Sequence, residues 1–190
     1  QQGWGGKIDK YFHSGKLNIR NHAIGGRSSR SFRQEGRWQT VLDEIEPGDF
    51  VLIQFGHNDG GSLSKDNGRT SIKGMGDETR EVTGKDGKTE TVHTFGWYMK
   101  QYVSEAREKG ATVVVCSLVP RCLFGDDGKI GPADKGYGAW ARDAAKAEGA
   151  WFINLHDIVA ERYNEIGNEE EVRKKYFSDH HTHTNEDGAE

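Results

Sequence analysis

Cysteine is scarce in this sequence, and two residues of that type among 190 cannot build the dense cross-linking on which small secreted scaffolds depend. Cys116 sits inside an apolar run and Cys122 just beyond it, so two free thiols are expected and cysteine usage leaves the compartment open. Long hydrophobic runs are also missing. The longest spans residues 112–120, the length of a strand, whereas a membrane helix needs about 20 apolar residues. A soluble protein with no membrane partner follows. An excess of positive charge is absent as well: 26 basic and 30 acidic residues give a formal charge of −4, which provides no cationic field for a phosphate backbone. Nucleic acid is therefore not an expected partner. No internal repeat or low-complexity tract occurs. The chain opens at Gln1 without a Met or a signal-peptide pattern and closes on Gly188-Ala189-Glu190, which has the small-residue look of a helix beginning. Both ends read as cut. The length suits one α/β domain over residues 1–190, truncated at both ends, and is too short for two ordinary ones.

What is present alternates between two periodicities. Ile8, Tyr11 and Phe12 share one face at helical spacing, and residues 17–19 form a short strand candidate. Residues 29–45 place Phe32, Trp38, Val41, Leu42 and Ile45 on one apolar stripe that Pro47-Gly48 ends, the pattern of a single amphipathic helix. Residues 50–55 and 111–118 are nearly continuous in apolar and β-favouring side chains, as parallel strands buried on both faces are. Between them lies a polar stretch, 60–94, whose 83–89 portion predicts a small hairpin. Helices over 97–108, 139–148 and 156–166 and a strand over 150–155 complete the series. Strand and helix alternate, so the class is α/β with a parallel sheet. In such a sheet ligands bind beyond the carboxyl ends of the strands, which selects residues 21–28, 56–59 and 120–121 as candidates.

Three constellations carry chemistry. Asn21-His22-Ala23-Ile24-Gly25-Gly26-Arg27-Ser28-Ser29 opens a helix after a strand. Its glycines let the backbone turn sharply and expose N–H groups at a helix start, which suits a developing oxyanion; equally, it reads as a glycine turn capped by Ser28 or Ser29. Gly56-His57-Asn58-Asp59 follows a buried strand at its carboxyl end. Asn58 offers a side-chain N–H to an oxyanion, and Asp59 can accept backbone hydrogen bonds and hold the loop. Asp179-His180-His181-Thr182-His183-Thr184 gathers three histidines in four residues, which fit a general base, metal ligands or a solvated loop. A zinc site would want cysteine or carboxylate partners at spacings that the rest of the chain lacks.

Together the three blocks resemble the SGNH (GDSL-like) hydrolases, in which blocks of this type occur in this order. The likeness narrows with Gly3-Trp4-Gly5, Gly25-Gly26-Arg27-Ser28, the FGHNDGGSL run at 55–63, Asp66-Asn67-Gly68-Arg69-Thr70, and Tyr176-Phe177 before His181-Thr182-His183-Thr184. These are similar to the rhamnogalacturonan acetylesterases and cover nearly the whole chain. The resemblance implies a flavodoxin-like, three-layer α/β/α fold with a central parallel sheet. It makes Gly26 (backbone N–H) and Asn58 (side-chain amide) the oxyanion hole and His183 the general base, acting through an acetyl-enzyme intermediate with no metal and no cofactor. Arg27, His57 and Asp59 become candidate substrate-binding residues for an acetylated pectic polysaccharide. A secreted or periplasmic monomer is implied.

The chain departs from the family pattern twice. The Gly-Asp-Ser strand end that carries the nucleophile belongs upstream of Gly3, so the first strand is expected to be missing here, as is the C-terminal helix. Ser28, Ser29, Ser31, Ser62 and Ser64 stand in no such turn. Further, the family's triad Asp stands three residues before the catalytic His, where this chain has His180, and Asp179 comes one residue earlier. Either Asp179 reaches His183 through a shifted loop or the triad is broken. Two further readings stand beside the esterase: a catalytically inactive relative that binds carbohydrate, and a metal-dependent hydrolase using Asp179, His180, His181 and His183.

Overall fold

The computed structural model describes residues 2–13, 15–65, 67–84 and 87–190, with only the backbone of Lys65. Gln1, Asp66, Lys85 and Asp86, which enter the sequence reading, lie outside them. The chain divides into two compact units: Ile24–Leu118 with Ala133–His156, and Gln1–Ala23 with Val119–Pro132 and Asp157–Glu190.

The larger unit holds the strands β1 (Phe50–Ile53), β2 (Arg80–Thr83), β3 (Thr89–Val92), β4 (Thr112–Cys116) and β5 (Trp151–Ile153), and the helices α1 (Ser29–Gln34), α2 (Arg37–Glu44), α3 (Phe95–Glu108) and α4 (Gly136–Ala147). Its central sheet is parallel, in the order β1-β4-β5, with Ile53 beside Val115 and Val115 beside Phe152. The α/β class with a parallel sheet is borne out. So is the hairpin, in which β2 and β3 pair antiparallel from Arg80↔Val92 to Thr83↔Thr89. Helix α3 begins where the Thr94 hydroxyl accepts the Trp97 N–H at 3.0 Å, a capping bond that satisfies an amide the helix cannot. From there Phe95, Met99, Tyr102, Val103 and Ala106 recur at helical spacing and are fully buried. They meet Ile53, Val113 and Val115 of the sheet and Ala141, Ala144 and Ala145 of α4 in one core.

Four expectations about local structure fail for identifiable reasons. The stripe over 29–45 is two helices, because Gly36 takes a left-handed φ of 73° between them; Phe32, Trp38 and Leu42 still share the core. Strand β1 is not buried on both faces, since Phe50 is 67% and Leu52 42% exposed. Residues 8–12 form only a short 3₁₀ turn (Ile8–Tyr11), with Tyr11 and Phe12 exposed and no apolar surface to hold a longer helix. Residues 17–19 pair with no strand among the described residues, and Leu17 and Ile19 are exposed.

The smaller unit contains most of α5 (Leu155–Ile166), then α6 (Glu169–Tyr176). Its core is Cys122, Ile130, Ala160, Tyr163, Val172 and Phe177. The Asn164 side chain clamps Ile130 by accepting its N–H at 2.8 Å and donating to its carbonyl at 3.0 Å. Helix α6, unforeseen in the sequence, is polar apart from Val172 and Tyr176. Asn168 caps it, three glutamates fill its first turn, and Arg173, Lys174 and Lys175 fill its last, an arrangement that complements the helix dipole at both ends. Both cysteines are free and buried, and burial raises each thiol to a pKa of about 11. Among the described residues no helix is long and apolar enough to cross a membrane.

Candidate active site

The larger unit brings residues 24–29 of the first constellation together with the second. Ser28 caps α1 reciprocally: its hydroxyl accepts the Ser31 N–H at 3.0 Å and the Ser31 hydroxyl accepts the Ser28 N–H at 2.9 Å. That box fixes where the helix starts and so where the preceding glycines turn. Gly26 takes a φ of 79°, which L side chains rarely adopt. On the facing loop, the Asn58 side chain donates to the Arg27 carbonyl at 3.2 Å. An amide carries two N–H groups, so this bond orients the group and leaves the second hydrogen for another acceptor.

Asp59 ties the two loops together and is fully buried. Each carboxylate oxygen accepts the Ser29 N–H at 3.2 Å. Oδ1 also accepts the Ser29 hydroxyl and, at 3.1 Å, the Ser71 hydroxyl. The Asp59 carbonyl accepts the Ser71 N–H at 3.1 Å, while Tyr102 of α3 donates to the Ser29 carbonyl at 2.6 Å. This placement suits the loop-holding role rather than contact with a ligand. Burial raises the Asp59 pKa to about 6, against the hydrogen bonds from Ser29, Ser71 and Gly56 that favour the anion. A carboxyl whose folded pKa is raised stabilises most below its unfolded value of 3.8 and loses that contribution as pH climbs through about 6. Asp59→Asn presents N–H groups where serine donors already point, so it is expected to destabilise the fold by about 1–3 kcal/mol. Chemical unfolding at pH 4 and pH 7 checks this. The wild-type-minus-mutant difference should be largest at pH 4 and shrink toward zero at pH 7, and a pH-independent difference refutes the assignment.

Arg27 lies beside this cluster, but its Nε is bound to the Glu35 carboxylate at 3.0 and 3.1 Å and its Nη1 to the Gly25 carbonyl at 3.1 Å. His57 is half-buried in the same turn. Sequence reasoning passed over Ser71 and Tyr102, whose partners are distant in the chain, and named Ser29 and Arg69 without these roles. The guanidinium of Arg69 lies against Gly26, where a Cβ would stand 3.3 Å from its Nη2.

The smaller unit holds the histidine cluster on a loop between Phe177 and Thr184, which pair in an antiparallel bridge. Thr184 donates its hydroxyl to the Gln2 carbonyl at 2.6 Å, so the segment before Gly3-Trp4-Gly5 is stitched to this loop. Asp179 organises the turn: its Oδ1 accepts the N–H groups of His181, Thr182 and His183 at 3.1, 2.7 and 2.9 Å. Its other oxygen meets His183 Nδ1 at 2.5 Å. A carboxylate can only accept, so Nδ1 carries the proton and Nε2 is the basic nitrogen. These bonds, the His183 backbone N–H foremost, hold the Asp179 carboxyl well below the usual range. The shifted loop of the two alternatives is thus the geometry present. His180 turns to Arg173, whose Nη1 is 3.4 Å from His180 Nε2, and His181 Nδ1 is 2.7 Å from the Thr182 hydroxyl. Among the described residues no three His, Cys, Asp or Glu side chains converge as a metal-binding group. Ser28, Ser29 and Ser31 serve local structure, and Ser62 and Ser64 are bonded to each other at 2.8 Å.

Comparison with known proteins places the chain in a family. A rhamnogalacturonan acetylesterase of Emericella nidulans is 39% identical over 187 residues, which cover 98% of this chain and 74% of that protein. A rhamnogalacturonan acetylesterase of Bacillus subtilis is 37% identical over 128 residues, 67% of this chain and 44% of that protein. The crystal structure of the YxiM protein of Bacillus subtilis matches with a TM-score of 0.78 at 24% identity, covering 100% of this chain and 47% of that one. The chain therefore spans about three quarters of the Emericella protein and less than half of either Bacillus protein. The last likeness is one of fold, and it bears out the flavodoxin-like class. The model of the GDSL-like lipase/acylhydrolase family matches residues 1–190, and the chain belongs to that family of ester hydrolases.

Proposed function

We propose that this chain is the larger part of a carbohydrate acetylesterase that removes O-acetyl groups from acidic pectic polysaccharide of the rhamnogalacturonan type. The observation that carries the reading is the 2.5 Å contact between Asp179 Oδ2 and His183 Nδ1, which fixes the tautomer that a general base needs. In this reading the nucleophilic serine comes from a Gly-Asp-Ser block preceding Gly3. His183 Nε2 takes the serine proton as Oγ attacks the acetyl carbonyl. The resulting oxyanion is met by the Gly26 N–H, the serine N–H and the second hydrogen of the Asn58 amide. The tetrahedral centre collapses, the C–O bond to the sugar breaks, and His183 returns the proton to the leaving sugar oxygen. Water then repeats the sequence on the acetyl-enzyme and releases acetate. The relatives named for rhamnogalacturonan acetylesterase activity support the substrate class, and a secreted or periplasmic monomer fits a polymer that cells meet outside the cytoplasm.

Acetate release from acetylated rhamnogalacturonan by enzyme carrying the serine block tests the reading, and absence of release refutes it. Asn58→Ala in that enzyme is expected to lower kcat about 10²- to 10³-fold, the usual loss for one oxyanion donor. The fold should survive, because Asp59 and Ser29 hold the same two loops together. A variant within threefold of wild type would remove Asn58 from the oxyanion hole.

A further inference from the structure

We infer that Arg69 is the specificity residue of this site, binding the carboxylate of an acidic sugar next to the acetylated one. The inference rests on the acetylesterase reading above and adds the group that recognises the anionic part of the substrate. Three arginines lie on the Gly26 turn, the helix after it and the loop that Arg30 bonds, and two are committed elsewhere. Arg27 is bound to Glu35, which it shares with Arg37. Arg30 is buried, pairs with Glu90 and donates to the Thr70 carbonyl at 2.7 Å. Arg69 is exposed and has no carboxylate partner among the described residues.

Its position is set from below. The Arg69 N–H donates to the Asn67 side chain at 3.2 Å, and the Arg30 bond to Thr70 pins the next carbonyl. Ser71, one residue on, is tied to Asp59 through both its N–H and its hydroxyl. The loop that carries Arg69 is thus anchored to the same buried carboxylate that joins the Gly26 and Asn58 loops. The guanidinium then lies over Gly26: a Cβ there would stand 3.3, 3.6 and 3.7 Å from its Nη2, Cζ and Nη1. Glycine at 26 therefore serves twice, allowing the left-handed turn and letting a cation settle onto the oxyanion-hole backbone. A guanidinium so placed presents a planar pair of N–H donors that matches a carboxylate in bidentate fashion, which a lysine cannot reproduce. A neutral acetylated sugar offers it nothing of equal strength.

The test compares wild type, Arg69→Gln and Arg69→Lys in enzyme carrying the serine block. Three substrates are used: an acetylated rhamnogalacturonan oligosaccharide, the same oligosaccharide with its uronate carboxyls reduced to alcohols, and an aryl acetate. Arg69→Gln is expected to raise KM on the acidic oligosaccharide about 10-fold or more, with kcat within threefold. It should leave KM on the reduced oligosaccharide and kcat/KM on the aryl acetate within twofold of wild type. Arg69→Lys should recover only part of the loss. Equal losses on all three substrates would assign Arg69 to the oxyanion hole or the fold and overturn the inference, as would an unchanged KM on the acidic oligosaccharide. Wild-type enzyme that cleaves the aryl acetate but neither oligosaccharide overturns the polysaccharide reading itself, and Arg69 falls with it.

Discussion

His183→Ala is expected to stop turnover, lowering kcat by about 10⁴-fold or more in enzyme that carries the serine block. The serine hydroxyl is a poor nucleophile until a base takes its proton, and neither neighbouring histidine of the loop is placed as His183 is. His181 Nδ1 is bound to the Thr182 hydroxyl and His180 is drawn to Arg173, so neither ring is presented by the Asp179 carboxylate. The loss should be chemical rather than structural. The His183 ring is exposed, and the backbone around it is held without the ring: its N–H by Asp179 Oδ1 at 2.9 Å and its carbonyl by the Ser178 N–H at 2.7 Å. Unfolding free energy is therefore expected to stay within about 0.5 kcal/mol of wild type. His181→Ala, as the control, should remain within threefold in rate. Steady-state kinetics with unfolding curves on both variants decide the matter, and a His183→Ala enzyme retaining a tenth of wild-type activity rules out the base.

The parallel sheet was legible because its strands are apolar runs with helix-period segments between them, a pattern that only helix-covered strands need. Strand ends were less so. The run over 50–55 gives a strand of only Phe50–Ile53, because pairing with β4 stops at Ile53↔Val115, and Gln54 instead donates its side chain to the Ser117 carbonyl. Pairing length is a property of the neighbour, and no local pattern carries it. Gly36 illustrates the same limit: one glycine in an apolar stripe costs a helix about 1 kcal/mol, which does not say whether the helix runs through it or, as here, breaks at a φ of 73°. Helix α6 hid for another reason. It buries one residue, Val172, so hydrophobic periodicity is silent and the signal lay in Asn168 and the order of the charges.

At the candidate site the residue types were legible and their partners were not. Gly26 and His183 were marked by motif, and Asn58 also by its position after β1. Asp59 was read as a substrate residue as well as a loop holder, yet its partners Ser29 and Ser71 lie 30 and 12 positions away, beyond the reach of any turn rule. Arg69 stood inside a recognised run with no role, since its meaning depends on Gly26, which is distant in sequence. Asp179 was the opposite case. Chemistry demanded a carboxylate for His183, one lay close upstream, and the turn that joins them closes within five residues through three backbone N–H groups.

Asp179→Asn is expected to cost about 10³- to 10⁴-fold in kcat while leaving the loop in place. The asparagine carbonyl can occupy the position of Oδ1 and keep the three backbone N–H bonds of the turn. Its amide nitrogen then faces His183 Nδ1, where Oδ2 now stands at 2.5 Å. An amide N–H needs an acceptor, so Nδ1 must give up its proton and Nε2 must carry one. The ring is held as before but in the tautomer that cannot take the serine proton, and no carboxylate remains to stabilise the imidazolium. Asp179→Ala removes the turn as well, so it should lose stability where Asp179→Asn does not, and the pair separates tautomer control from loop control. His180→Asp restores the family's spacing on paper. The His180 side chain, however, points to Arg173, and His183 Nδ1 already has its acceptor, so that change should stay within about threefold of wild type in an assay with Asp179 intact. Kinetics on the three variants give opposite answers for the two loop arrangements: a silent Asp179→Asn together with a faster His180→Asp would show that the shifted turn is not the one the enzyme uses.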